Sequence, residues 1–238
     1  TTLLVGLPLF GSLSRHLWIP SSVFALTAFS ALSTKMPVFS SAYFPSLAYV
    51  NAIHQAREIT LDLHEYFVKQ SIRTRSEILS ANGVIQLNVP ILHAESGKQT
   101  MREVKIDASK NWQTEHWRAI ESAYANAPYF EHYAHDLMRI FAEMPTYVHE
   151  LNGLILNWLN EALALQLKIN MCDSYTGQTS TEKKQWLGRT AHVTTKYQQV
   201  FGYKTPFVEN LSILDGLMNE GPLIRMRFLP RQAHDHGM

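Results

Sequence analysis

The chain has 238 residues, 21 Lys and Arg against 20 Asp and Glu for a formal net charge of +1, and a single cysteine. A domain of that size buries about 70% of its unfolded surface, so it needs neither disulfides nor a structural metal to fold. The near-neutral balance supplies no whole-molecule attraction to nucleic acid or an anionic membrane, and Cys172 alone excludes an intrachain disulfide or a cysteine zinc cluster.

Residues 1–35 differ in kind from the rest. They contain no Asp or Glu, and Arg15 and Lys35 are their only full charges. Pro8 and Pro20 break any long helix. Val23–Leu32 is too short to span a bilayer, which takes about 20 apolar residues. The stretch reads as upstream sequence ahead of a domain that begins at Met36, or alternatively as a secretory signal with Arg15-His16 as its basic region. The upstream reading, with one cysteine, goes with a cytoplasmic location.

From Met36 the pattern is regular. Pro37–Phe44 reads as a buried strand. Ser46 is an N-cap for a helix over Leu47–Ala56, and Glu58–His64 alternates as a second strand, with Ile59, Leu61 and Leu63 opposite Thr60, Asp62 and His64. Gln70–Ser80 and Val84–Leu92 flank Asn82-Gly83, the strongest short hairpin signal. A two-residue loop there pairs Ala81 with Val84, sets Ile78 against Leu87, and puts Lys69, Arg73, Arg75 and Glu77 on one face. His93–Thr100 is a polar loop and Arg102–Asp107 one more strand.

The chain then turns helical. Asn111–Asn126 carries Trp112, His116, Ile120 and Ala123 on one stripe, Tyr129–Phe141 follows Pro128, and an apolar helix runs from Thr146 to Lys168. Asp173–Lys184 reads as a surface loop, Asn210–Glu220 as a short helix stopped by Gly221-Pro222, and residues 231–238 as a disordered tail. The expected fold is mixed α/β: an N-terminal sheet of about five strands against a helical C-terminal half.

Four stretches in order carry a family resemblance: Tyr43-Phe44-Pro45 with Ala48-Tyr49, Asp62–Ile91, Lys105–Phe130, and Asn210–Pro222. Together they resemble the WbqC-like protein family over essentially all of Met36–Leu229. The resemblance implies a bacterial protein of O-antigen or other surface-polysaccharide gene clusters and brings no assigned catalytic residues. The family's Leu-Leu-Phe-Asn is Gly216-Leu217-Met218-Asn219 here, a departure that costs helix stability at Gly216.

Several residues are candidates for chemistry. Lys69, Arg73 and Arg75 on one face would grip a phosphate or carboxylate by paired N–H bonds, or stand as a solvated face with Glu77 as partner. Tyr43 would join them in binding substrate. Asp62 and His64, near a strand end, have the types for an orienter and a base. His116 on an apolar stripe is either a second candidate base or a core histidine bonded to backbone or tyrosine. His132, His135 and Asp136 fall at helical spacing, but the more diagnostic His-Glu-x-x-His is absent, and no metal site is assigned. Gly-x-Gly-x-x-Gly, the P-loop, Gly-x-Ser-x-Gly and His-x-Gly-His are also missing, and the cofactor is left unknown. The expectation is a transferase-type enzyme acting on a small anionic donor such as a nucleotide-sugar or acyl donor, or else a non-catalytic module binding a partner enzyme.

Overall fold

The computed structural model describes residues 37–92, 97–177 and 194–228. Residues 1–35, the tail with His234 and His236, and parts of the two expected loops at 93–100 and 173–184 lie outside the described residues. Among the described residues, no helix is long and apolar enough to cross a membrane.

The fold opens with a βαβ unit. Strand β1 (Val38–Phe39) leads to helix α1 (Leu47–Ala56), which begins where Ser46 Oγ accepts from Tyr49 N (3.4 Å). Arg57, at φ 60°, ends the helix by returning its N–H to Ile53 O. Strand β2 (Glu58–Leu61) then runs parallel to β1, with Val38 opposite Thr60. A late strand, β5 (Lys168–Met171), adds to the far side of β2, again parallel, with Glu58 opposite Lys168. The order is β1-β2-β5, and all three strands end on the same edge. Ile59, Thr60 and Leu61 are all buried, as befits a central parallel strand covered on both faces.

The fold class is mixed α/β, as expected, but the strands form two sheets. Strands β3 (Arg75–Ser80) and β4 (Gly83–Asn88) form a separate antiparallel hairpin. Its β3 side docks on the 44–46 and 210–212 segments: Ser212 N donates to Glu77 O (2.8 Å) and Ser76 Oγ to Phe44 O (2.7 Å). The hairpin is shifted two residues from the expected register, pairing Ser80 with Gly83 and Ile78 with Ile85. Gly83, at φ 107°, supplies the positive φ of the turn, while Ala81 and Asn82 keep ordinary conformations. Ser80 Oγ locks the turn, accepting from Asn82 N (3.3 Å) and donating to Gly83 O (2.7 Å). A two-residue slip preserves which side chains share a face, so Ile78 and Leu87 stay buried.

Two further expectations change. Arg102–Asp107 is no strand: Met101–Glu103 is a 3₁₀ turn closed by Glu103 Oε2 on Thr100 N (2.8 Å), and the rest makes only isolated bridges. The long apolar helix is shorter than its composition suggests. It is α4 (Val148–Ala162), following α2 (Trp112–Tyr124) and α3 (Phe130–Ala142). Positive φ at Ala164 and Gln166 breaks it, and Leu163, Leu165 and Leu167 then bury alternate positions on the way into β5.

Helix α5 (Ile213–Glu220), capped by Ser212, closes the core between α1 and α3. Gly216 admits Ile224 against α5, since a Cβ there would lie 2.5 Å from Ile224 Cγ1. Gly221 stops the helix at φ 62°, where a Cβ would lie 2.5 Å from the Tyr129 ring. Gly221→Ala should therefore destabilise the protein by about 1–3 kcal/mol, from backbone strain and a displaced ring. A urea midpoint equal to wild type would show that neither constraint operates.

Candidate functional site

The segment that leaves β2 is held by buried polar groups. Asp62 Oδ1 accepts from the backbone N–H groups of His64 (2.9 Å) and Glu65 (3.0 Å), and its Oδ2 accepts from Thr176 Oγ1 (2.9 Å) on the segment after β5. Asp62 thereby joins the carboxyl-end loops of neighbouring strands. Beside it, Glu65 Oε1 accepts from Arg73 Nε (2.9 Å) and pairs with Nη2 (2.6 Å), and both residues are almost fully buried. Arg73 also donates to Ser71 Oγ and to Ser40 Oγ, just past β1 (3.1 Å each). Burial, opposed by the hydroxyl of Tyr49 and the charge of Asp62, pulls the guanidinium down to about 10, so it remains charged at neutral pH.

This placement corrects the expected cation face. Thr74 N and Arg75 N both donate to Ser71 O, forming a turn, and β3 starts only at Arg75. Strand alternation therefore does not extend back to Arg73, which points into the core. Beyond Gln70, at φ 56°, Lys69 points to solvent. The three cations go to three places.

Tyr43 and His116 do meet, in the interior. Tyr43 Oη lies 2.7 Å from His116 Nδ1, and His116 Nε2 accepts from Asn88 N (3.2 Å). Since a backbone N–H only donates, Nε2 carries no proton and Nδ1 donates to the tyrosine. Burial pushes the imidazole down to about 4 and the Tyr43 hydroxyl well up, so both are neutral at pH 7. The pair ties α2 to β4 and to the segment after β1, using both ring nitrogens.

Arg75 lies on the rim of a small cleft, about 70 Å³, between the hairpin and the start of α1. Phe44 (φ 35°), Gln70 (φ 56°) and Asn210 (φ 51°) all line it, so three strained non-glycine residues converge there. The Phe44 conformation is held by Ser76 Oγ and Ser212 Oγ on its carbonyl. The first amides of α1 are already engaged: Leu47 N by Leu211 O, Ala48 N by Asn210 Oδ1, and Tyr49 N by Ser46 Oγ. That helix start offers no free donors for a phosphate, and Arg75 faces Glu77 in the same lining.

A more cationic site lies one residue away along the chain. Lys69 and Lys98 line a cleft of about 220 Å³ floored by Phe67, Ile91 and Leu92, with no carboxylate in the lining among the described residues. Lys98 Nζ sits 5.6 Å from the centroid of the Tyr66 ring, and that ring lies 6.4 Å from the ring of Tyr175. Both tyrosines are more than half exposed. Tyr66 follows β2 and Tyr175 follows β5, so the cluster stands outside the carboxyl ends of adjacent parallel strands. His64 is half-buried on the same loop, and its ring has no hydrogen-bond partner among the described residues. The sequence reading missed Lys98, Tyr66 and Tyr175, since distant pairings bring them together: Phe67 N on Gln99 O and the Tyr66–Thr100 bridge set Lys98 beside Tyr66, and β5 against β2 brings up Tyr175. His132 and His135 are exposed on α3.

The model of the WbqC-like protein family matches residues 40–195. That span contains the whole lysine-lined cleft, β2, the hairpin and β5. The chain is also similar to uncharacterized protein Rv1507c of Mycobacterium tuberculosis, 28% identical over 151 residues. The match covers 63% of this chain and 65% of the relative, just under two thirds of its length. No solved structure matches.

Two measurements check the scaffold. Glu65→Gln should destabilise by about 3–5 kcal/mol, because it leaves Arg73 buried without its counter-charge. A loss below 1 kcal/mol on chemical denaturation would remove the clamp role. His116 titrates near 6.5 unfolded and near 4 folded, so the stability from its neutral form is complete above pH 6.5 and is lost as pH falls through 4. The loss reaches about 3 kcal/mol, and the slope of stability against pH between 6.5 and 4 should be shallower in His116→Gln. Equal slopes would contradict the burial of a neutral ring.

Proposed function

The chain belongs to the WbqC-like protein family, and from that premise we propose that it is a cytoplasmic transferase of bacterial surface-polysaccharide biosynthesis acting on an anionic activated donor. The observation that carries this reading is the pair of lysines, Lys69 and Lys98, over the apolar floor of Phe67, Ile91 and Leu92 at the end of a parallel sheet. Two ammonium groups supply the counter-charge of a phosphate or pyrophosphate. The exposed rings of Tyr66 and Tyr175 offer flat apolar faces to the rest of such a donor. His64, whose ring has no partner among the described residues, is the candidate base. Asp62 positions it through the backbone, while Arg73, Tyr43 and His116 hold the surrounding frame. Arg75 donates through Nε to Asn88 Oδ1 (3.3 Å) and lines the smaller cleft by the start of α1.

A second reading has its own support. Tyr66, Val68, Leu92 and Tyr175 are all 47–54% exposed, an apolar surface of the sort that binds a partner protein. On this reading the chain is a non-catalytic module for another enzyme of the pathway.

One screen separates the two. Thermal shift is run with nucleotide-sugars, acyl-CoAs and simple nucleotides. A donor at ten times its Kd adds about 1.4 kcal/mol, which raises Tm by about 3–6 °C for a domain of this size. The rise should vanish in Lys69→Ala/Lys98→Ala. A response to none of the compounds, or one that survives the double substitution, would overturn the donor site.

A further inference from the structure

A third cleft, about 340 Å³, lies between the end of α2, the end of α5 and the 198–203 segment. Its lining includes Asn126, Gln198, Gln199, Asn219, Phe201 and Tyr203, and among the described residues it contains no Lys, Arg, Asp or Glu. The volume falls within the range of about 300–1,000 Å³ typical of small-molecule sites. We propose that this cleft is a binding site for a neutral, hydroxyl-rich ligand, a saccharide ring.

The argument begins with what holds its wall. Asp215 on α5 is 1% exposed and accepts from Tyr124 Oη (3.1 Å), Tyr197 Oη (2.6 Å) and Gln199 Nε2 (2.8 Å). Gln199 also clasps Val208, donating to its carbonyl (3.0 Å) and accepting from its N–H (2.9 Å). Gly202 N donates to Gln199 O, while Lys204 N and Thr205 N share Phe201 O, which closes a turn. The 197–208 segment is thus pinned at its base by a buried carboxylate and its wall is preformed, which lowers the ordering cost of binding.

What the wall presents is then selective. Asn126 has no hydrogen-bond partner among the described residues. Asn219 uses Nδ2 on Asp215 O (2.8 Å), and Gln198 makes one long contact to Gln199 O (3.4 Å). Each primary amide brings a donor and an acceptor, which matches a hydroxyl that both donates and accepts. A phosphate needs donors and counter-charge, and the lining supplies no charge. Tyr203 is 81% exposed and sets a flat apolar face at the rim, suited to the C–H face of a pyranose.

This site is separate from the lysine-lined cleft and does not rest on the donor reading. The test is a titration of the ¹⁵N-labelled full chain with glucose, galactose, N-acetylglucosamine and, in a separate arm, uridine, followed through side-chain amide signals. A sugar should shift the amides of Asn126, Gln198 and Asn219 saturably. The affinity should fall about fivefold or more in Tyr203→Ala, which removes a stacking face from an exposed position. It should be unchanged in Lys69→Ala/Lys98→Ala. Absence of any sugar-induced shift, shifts equally strong in Tyr203→Ala, or a response to uridine alone would overturn the assignment. Failure of the donor screen would leave this result untouched.

Discussion

The Arg73–Glu65 ion pair is the constraint on which the site end of the molecule depends. One guanidinium reaches Ser40 after β1, Ser71 in the turn before β3, and Glu65 in the loop after β2. The Arg73 carbonyl accepts from Asn152 Nδ2 on α4 (2.9 Å), and the same nitrogen donates to Ser41 (3.1 Å). A buried charge is costly, and its burial is offset only if every available donor finds a geometry-matched acceptor. That requirement forces strand ends, turn and helix into one arrangement. The loop from Asp62 to Gln70 is therefore stiff at its base, while its outward side chains remain accessible.

Asp215 repeats the solution with the signs reversed. Here a carboxylate is buried with two hydroxyls and an amide, and no cation bonds to it among the described residues. Burial raises its pKa, and the three donors oppose that shift. Both hubs stand beside a cleft, and Gln199 belongs both to the Asp215 hub and to the lining of its cleft. The chemistry open to solvent lies one layer out, on Lys69, Lys98 and Tyr66 in one case and on Asn126, Gln198 and Tyr203 in the other. This division of labour lets a rigid base present long, adaptable side chains.

The residues singled out by their chemical type divide along the same line. Asp62, Arg73, Tyr43 and His116 looked reactive and are bonded within the frame. Lys69 and His64 have no hydrogen-bond or ion-pair partner among the described residues. A residue type with strong hydrogen-bonding capacity attracts attention in a sequence for the same reason that a core employs it, and type alone does not separate the two uses.

Local patterns were legible where local physics decides them. Ser46 and the apolar spacing of Leu47, Val50 and Ile53 set α1 to the residue, and Asn82-Gly83 marked the hairpin. The Trp112, His116 and Ile120 stripe set α2, and Gly221 set the end of α5. The tertiary structure decided what depends on distant partners. The hairpin took the register that docks β3 on Ser212, a choice the alternation could not make because a slip of two leaves each face unchanged. Arg73 turned inward because Glu65 and Ser40 were there to receive it, and Leu163–Leu167 left the helix because β2 had an open edge for β5. Tyr175 joined Tyr66 because β5 lies against β2, a pairing of segments more than a hundred residues apart, and Lys98 joined Lys69 and Tyr66 because Phe67 N donates to Gln99 O and Tyr66 pairs with Thr100; short-range periodicity encodes neither pairing.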